Sequence, residues 1–177
     1  SRRGMTPSPG IVQRGRPLGC RPVVDDAGFR VGADGCEFEP GTVIEPFCVV
    51  HDMMSFRAHA IDDRCGVPTV PRDRCAADVI FTELPSGAAD GEDASETAAK
   101  GGVSEEAGHI AKRWWHVGRF FAHPARQTNL VHPFPAEDGH LAGHQYLDDS
   151  EQGTGSFGSQ AAVDEAVPCG EFSQSFH

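Results

Sequence analysis

The stretch that most constrains this chain is residues 83–109, where a glycine-rich turn precedes a helix rich in carboxylates. Negative charge is favoured at a helix N-terminus, and acidic residues crowd the expected start of this helix. Near its other end, Glu105 and Glu106 are followed by Gly108, a residue type that commonly ends helices. The acids at the start are Asp90, Glu92, Asp93 and Glu96.

This arrangement is typical of a site for a hard cation. Mg²⁺ takes oxygen ligands, usually keeps several waters and binds substrate phosphates as well. Helix residues three or four apart share a face, so positions 102, 105 and 106 lie on one side. A carboxylate-rich helix that faces a glycine-rich turn can supply such a site.

The same stretch resembles the Nudix box. In that pattern a Gly is followed, after five residues, by Glu, and after seven more by Arg-Glu-aliphatic-any-Glu-Glu-any-Gly-aliphatic. Gly87 opens the box, which runs over residues 87–109, and Asp93 stands at the first Glu. The positions that match the second half are Val103, Glu105, Glu106 and Gly108.

Besides Asp93, the box departs from the pattern at three positions. Gly101 and Gly102 replace the Arg-Glu pair, and His109 replaces the last aliphatic residue. Each interior glycine costs a helix about 1 kcal/mol relative to alanine, so the pair is expected to fray or kink the helix if it lacks strong packing. Position 102 corresponds to a principal glutamate ligand of the family, and glycine offers no side chain there.

The resemblance covers roughly residues 21–177 and is to the ADP-ribose pyrophosphatase branch of the Nudix family. It implies an α/β (α+β) fold with a mixed β-sheet sandwiched between helices. It also implies N-terminal antiparallel strands, which often help to form a dimer. Asp-Gly and Pro-Gly turns predict the short strands Phe29–Val31, Cys36–Phe38 and Pro46–Val50.

Alternation from Met54 to Ala60 predicts a half-buried strand. The next apolar run is interrupted by Pro68 and Pro71, and a proline cannot donate to a ladder, so an edge or damaged strand is expected. Residues 137–160 read as an acidic, mobile loop, and the segment after 160 as the start of a helix. Residues 114–121 should form the entrance to a pair of strands, with Val117, Phe120 and Phe121 in the core. Trp114 and Trp115 should serve packing rather than nucleotide stacking.

The length and the net charge of the chain limit its possible functions. A chain of 177 residues suits one domain, and the net charge of −11 argues against general nucleic-acid binding. No apolar run is long enough to span a membrane. The first 21 residues hold five arginines and no acid, which predicts a flexible basic arm over residues 1–20 before a domain over 21–177.

Six cysteines without a Cys-x-x-Cys pair predict reduced, mostly buried thiols in an intracellular protein. The compartment is the cytoplasm, or an organelle such as the mitochondrion if the arginine-rich N-terminus is the remnant of a transit peptide. The alternative reading of that N-terminus is a disordered leader. The cysteines lie at positions 20, 36, 48, 65, 75 and 169.

The resemblance implies a Mg²⁺ site that bridges the diphosphate of ADP-ribose or a related nucleotide. Its metal ligands would be the Ser86 carbonyl, Asp93, Glu105 and Glu106. Catalytic roles would fall to Glu105 and Glu106, with Glu151 from a later loop as the base. Contacts to the nucleotide would come from Arg72, Arg74 and Gly87.

Three hypotheses follow. In the first, the chain is a Nudix-fold protein with impaired or lost hydrolysis and a structural or assembly role, as a homodimer or a subunit of a larger complex. In the second, it is an active Mg²⁺-dependent hydrolase of ADP-ribose or a related nucleoside diphosphate derivative. In the third, it binds nucleotides without catalysis. The Gly101–Gly102 pair and the proline-broken strands favour the first, while the Glu105–Glu106 pair keeps the second open.

Overall fold

A computed structural model describes this protein over most of its length, and the chain divides into two compact units, residues 1–51 and 52–177. Each unit is described by itself. Residues 1–13 of the expected arm, Asp93 and Glu151 lie outside the described residues. The described ranges are 14–26, 29–39, 41–51, 54–62, 66–89, 95–147 and 155–172.

Unit 1 is a three-stranded antiparallel sheet in the order β1-β2-β3. Its strands are β1 (Arg16–Asp26), β2 (Phe29–Glu39) and β3 (Thr42–His51). The antiparallel N-terminal strands expected from the sequence are therefore present. Residues 16–20, assigned to the arm by their composition, form the start of β1.

The predicted turn at Asp34–Gly35 is wrong, because both residues lie within β2. The register shifts between Asp34 and Cys36, which marks a β-bulge. A bulge gives the chain an extra residue without reversing its direction, so one long strand replaces the two short ones expected. The second expected turn is confirmed at Gly41, whose φ of +89° only glycine adopts readily.

Unit 2 has nine strands and two helices in the part of the chain that the structure describes. A mixed sheet has the order β10-β11-β4-β7, with β8 and β9 also paired to β11, and a second sheet has the order β12-β5-β6. The β4–β11 pairing is parallel and the other pairings of both sheets are antiparallel. The elements are β4 (Met54–Asp62), β5 (Gly66–Arg74), β6 (Val79–Glu83), β7 (Ser86–Ala89), α1 (Ser95–Ala107), β8 (His109–Ile110), β9 (Arg113–Trp114), β10 (Phe120–Phe121), β11 (Leu130–Leu141), β12 (Ser156–Ser159) and α2 (Gln160–Cys169).

The strand β5 lies between β12 and β6 in the sheet order, but each of its halves pairs with one neighbour only, as the expected edge strand would. Its first half, residues 66–69, pairs with β12, and its second half, residues 70–74, pairs with β6. Pro68 lies in the first pairing and Pro71 in the second. Each pairing therefore loses at most one backbone N–H donor.

Strand β11 also contains two prolines, and its pairing with β4 is regular from Val131 to Ala136. The carbonyls of Pro133 and Pro135 accept hydrogen bonds from the backbone N–H groups of Val117 and Trp115. The amide and carbonyl of a strand residue point to the same side, so the missing N–H groups face this irregular segment and leave the parallel pairing with β4 intact.

The helix α1 runs without a break through Gly101 and Gly102 to Ala107, so the two glycines do not interrupt it. Tertiary packing offsets the low helix propensity, because Ala99 and Val103 are fully buried in a core cluster with Phe134 and Ala136 of β11. The expected stop at Gly108 is confirmed: its φ is +64°, and its N–H donates to the Ser104 carbonyl.

Several packing predictions fail. Val117, Phe120 and Phe121 are more than half exposed, since β10 pairs at the margin of the mixed sheet. Trp114 packs against the core cluster, but Trp115 is exposed. The region expected to be a loop over 137–160 contains the end of β11 and all of β12.

The cysteines are not mostly buried. Cys20, Cys48, Cys75 and Cys169 are exposed and Cys36 is partly exposed, while Cys65 lies outside the described residues. Among the described residues, no helix has the length and apolar character needed to cross a membrane.

Candidate functional site

The last turn of α1 brings one carboxylate of the box against the turn that opens it. Glu106 is buried, and its Oε2 accepts a hydrogen bond from the Ser86 backbone N–H at 3.2 Å. Its Oε1 lies 2.6 Å from Nη2 of Arg72 on β5. Both partners are shielded, with side-chain exposures of 15% for Arg72 and 6% for Glu106. The helix, the turn and β5 therefore meet at one carboxylate.

A second buried ion pair lies on the same strand. Arg74 donates from Nε to Oε1 of Glu83 at 2.7 Å and from Nη2 to Oε2 at 2.5 Å. Glu83 is completely buried, so the bidentate contact supplies the partner that a buried carboxylate needs. Alternate residues of a strand share a face, which places the Arg72 and Arg74 side chains on one side of β5.

Glu83 is the residue that sequence reasoning missed. It immediately precedes the Leu84-Pro85-Ser86-Gly87 turn and was given no role. The available signal was charge pairing: two arginines at alternate positions of β5 need acidic partners, and Glu83 ends the following strand, β6.

The other glutamate of the pair, Glu105, is exposed. Helix periodicity explains the difference, because adjacent residues of a helix point about 100° apart and only one of them can face the sheet. Gly101 lies beside it, and a Cβ placed there would be 3.9 Å from Glu105 Oε1. Gly102 is buried on the side of α1 that carries Val103 and Glu106.

The segment 142–146 covers the C-terminal end of α1. Backbone N–H groups of Ala142 and Gly143 donate to the Gly108 carbonyl, and that of Tyr146 donates to the Glu105 carbonyl at 2.9 Å. The Gln145 amide donates to the Glu106 carbonyl. Carbonyls at a helix C-terminus lack intrahelical partners, so this segment supplies them and fixes the turn that carries the glutamates.

The predicted ligands can be tested against the needs of Mg²⁺, which favours six oxygens in octahedral geometry. Among the described residues of the box, Glu105 offers an exposed carboxylate, while Glu106 is held by Arg72 and the Ser86 N–H. Position 102 offers no side-chain oxygen. With Arg72 bound to Glu106 Oε1 and no side chain at position 102, the described residues of the box offer fewer carboxylate oxygens to Mg²⁺ than the family pattern implies.

The other residues predicted for the site lie at the following places. Gly87 lies in β7, paired with Phe56 of β4, and is partly exposed. Arg72, Ser86 and Glu106 come together at the C-terminal end of α1, next to the exposed Glu105, whereas Arg74 pairs with Glu83. Asp93 and Glu151, the proposed additional ligand and base, lie outside the described residues.

No protein-family model matches the sequence, and no curated protein matches it. Among solved structures, the chain is similar to that of an ADP compounds hydrolase, with a TM-score of 0.73 and 15% sequence identity. The match covers 92% of this chain and 88% of that one. This likeness and the mixed α+β topology establish a Nudix-like fold, as the resemblance of the box predicted.

Proposed function

We propose that this chain is a Nudix-fold protein that binds ADP-ribose or a related nucleoside diphosphate compound and hydrolyses it poorly or not at all. The observation that carries this proposal is the Arg72–Glu106 ion pair beside the glycine at position 102. A metal-dependent hydrolase needs carboxylates that are free to hold its cation. Here one position has lost its carboxylate and another is held by a guanidinium.

The arginines support binding in this proposal. Planar guanidinium groups recognise phosphate oxygens by paired hydrogen bonds, and Arg72 and Arg74 share a face of β5 next to the box turn. A diphosphate could replace the carboxylates as the partner of these two guanidinium groups. In this proposal Arg72, Arg74 and Gly87 contact the nucleotide, and Ser86, Asp93, Glu105 and Glu106 form what is left of a Mg²⁺ shell.

The test is Mg²⁺-dependent hydrolysis of ADP-ribose by the native chain and by a Gly101→Arg/Gly102→Glu variant. We expect no measurable turnover by the native chain and a gain in the variant, because the variant restores a carboxylate on the face of Glu106. A Gly101→Ala/Gly102→Ala variant is the matched control, since it raises helix propensity without adding a ligand.

Turnover by the native chain that is abolished by Glu106→Gln would overturn the proposal. The protein would then be an active hydrolase, with Glu105, Glu106 and Glu151 as its catalytic groups. The observation that favours this second function is the fold shared with an ADP compounds hydrolase. Calorimetry can measure whether ADP-ribose binds in the absence of Mg²⁺. Binding would identify a nucleotide-binding module, and its absence would indicate a protein that neither hydrolyses nor binds the nucleotide.

A structural role, as a homodimer or a subunit of a larger assembly, is part of the first proposal. Its support is the number of large apolar side chains that unit 1 exposes, since patches of this kind mark protein interfaces. Light scattering on the purified chain tests the homodimer, and a monomer at all concentrations would remove it. The exposed residues include Val23, Val24, Phe29, Phe38, Val43 and Ile44.

A further inference from the structure

Three side chains of types that bind metals converge in unit 1, and none of them belongs to the box. Cys20, Asp34 and His51 come from β1, β2 and β3, so each strand of the sheet contributes one group. The sulfur, one carboxylate oxygen and one imidazole nitrogen all lie within 4.8 Å of one another. Cys20 stands directly opposite Asp34 in the β1–β2 register, which places both side chains on the same face of the sheet.

A buried glycine makes this convergence sterically feasible. Gly32 lies two residues before Asp34 on β2 and therefore on the same face. A Cβ at this position would lie 2.6 Å from Cys20 Sγ, 2.8 Å from Asp34 Oδ1 and 3.1 Å from His51 Nε2. The first two distances are shorter than real Cβ contacts, so any larger residue would push the donors apart.

The donor types specify the class of ligand. Thiolate, imidazole and carboxylate are the protein ligands of Zn²⁺, whereas Mg²⁺ and Ca²⁺ prefer oxygen alone. Zinc bonds of about 2.0–2.3 Å require the three donors to close in slightly, which side-chain rotation allows. Asp34 Oδ1 and His51 Nε2 each expose less than 1 Å² to solvent, while Cys20 is exposed. An ion could therefore enter beside the sulfur and keep a water as its fourth ligand.

We propose that Cys20, Asp34 and His51 form a binding site for Zn²⁺ or a similarly soft divalent transition-metal ion, which links the three strands of unit 1. The thiolate and the carboxylate would balance the two charges of the ion. The nearby cation Arg30, opposite His51 in the register, is bound to Asp25 with Nε 3.0 Å from Oδ1. This pairing offsets its charge.

Protonation competes with the ion at the sulfur. A hydrogen bond with Asp34, followed by desolvation, raises the pKa of the Cys20 thiol above its ordinary value of 9.0, while the charge of Arg30 opposes this shift. An ion that binds to the thiolate must displace this proton.

The experiment uses the full chain after removal of metal with a chelator, titrated with Zn²⁺ in a calorimeter and with Co²⁺ in a spectrophotometer. We expect roughly one tightly bound Zn²⁺ per chain and a thiolate-to-cobalt charge-transfer band. Cys20→Ser and His51→Gln should each weaken Zn²⁺ binding by about 100-fold or more, since loss of a supporting second-shell group alone costs 10- to 100-fold. Cys20→Ser should also abolish the band.

Matched controls isolate the site from the other histidines and cysteines of the chain. Gly32→Ala should weaken binding as strongly as loss of a ligand, whereas Gly19→Ala on β1, where a Cβ meets nothing within 4 Å, should not. Cys48→Ser, at an exposed cysteine of β3, should leave the cobalt band intact. Circular dichroism confirms that each variant is folded.

Three results would overturn the proposal: native-like Zn²⁺ affinity in both ligand variants, a cobalt band that survives Cys20→Ser, or no tight binding by the native chain. If Gly32→Ala does not fold, the ligand variants still decide the question, because both replacements keep a polar side chain of similar size. Zn²⁺ should raise the melting temperature of the native chain and leave that of Cys20→Ser unchanged.

Discussion

The two units of this chain arrange their carboxylates in opposite ways. In unit 2, Glu83 and Glu106 are buried, and each is bound by an arginine of β5. In unit 1, Asp34 faces a sulfur and an imidazole across the space left by Gly32. Unit 2 neutralises its buried carboxylates with its own arginines, whereas unit 1 has space for a cation from solution.

The difference shows that carboxylates in a metal-site pattern do not suffice for a metal site. A buried carboxylate must be neutralised, and an arginine within reach can do so without a metal ion. Where donor atoms converge on the space beside a glycine, a metal ion can neutralise the carboxylate instead. The box of unit 2 carries the recognisable pattern, whereas unit 1, which has no sequence motif, has the better donor geometry.

The largest expected effect comes from breaking the bidentate pair with Arg74→Gln. This change removes the bidentate partner of a fully buried carboxyl group, and we expect a loss of about 3 kcal/mol in the free energy of unfolding. This is the lower end of the range for a broken buried pair, because the Arg74 side chain is 39% exposed. Urea denaturation measures the change.

The control for that variant is Arg113→Gln, which removes the exposed pair of Arg113 with Glu137. Exposed pairs contribute about 0–1 kcal/mol, so this loss should be small. Equal losses for the two variants would show that burial does not distinguish the Glu83 pair from a surface contact.

The next effect concerns the competition between guanidinium and cation. Arg72→Gln removes the charge that holds Glu106 Oε1, and we expect Mg²⁺ affinity to rise by about tenfold, or ~1.4 kcal/mol. Calorimetric titration measures this change, with Arg113→Gln as a control for the loss of one positive charge. An unchanged affinity would mean that Arg72 does not block the ion.

Two glycines, one inside α1 and one directly after its end, should respond in opposite directions. Gly101→Ala should stabilise the protein by about 1 kcal/mol, because the site is helical and the nearest atom to a Cβ is 3.9 Å away. Gly108→Ala should destabilise it by at least as much, because φ is +64° and a Cβ would lie 2.7 Å from the Gly143 carbonyl oxygen. Thermal melts of the two variants, compared with the native chain, test both signs.

The smallest effect is on the surface of unit 1. Arg16 donates two hydrogen bonds to Glu37, and this contact, followed by the Gly41 N–H, lowers the pKa of Glu37 from its ordinary 4.5. A lowered folded-state pKa contributes stability above the unfolded value that is lost as the pH falls through the folded value. Arg16→Gln should therefore raise the pKa of Glu37, which an NMR titration detects. A pKa that does not move would assign the shift to Gly41.

Sequence patterns predicted the fold better than the site. The positions of Val103 and Gly108 predicted a buried helix face and a helix stop, which follow from local rules of spacing and conformation, whereas Gly87, expected in a turn, lies in strand β7. The state of Glu105 and Glu106 did not follow from the same pattern. Burial of one and exposure of the other depends on how α1 is rotated against the sheet.

The sequence by itself determined the order of the elements around the box, because helix stops, strand alternation and glycine turns are local properties. Tertiary structure decided three things: that α1 passes through two glycines, that Arg72 and Arg74 reach buried acids, and that Cys20, Asp34 and His51 meet. Packing of Ala99 and Val103 offsets the cost of the glycines. Each of the other two results joins residues from separate elements, and only the folded chain brings such residues within bonding distance.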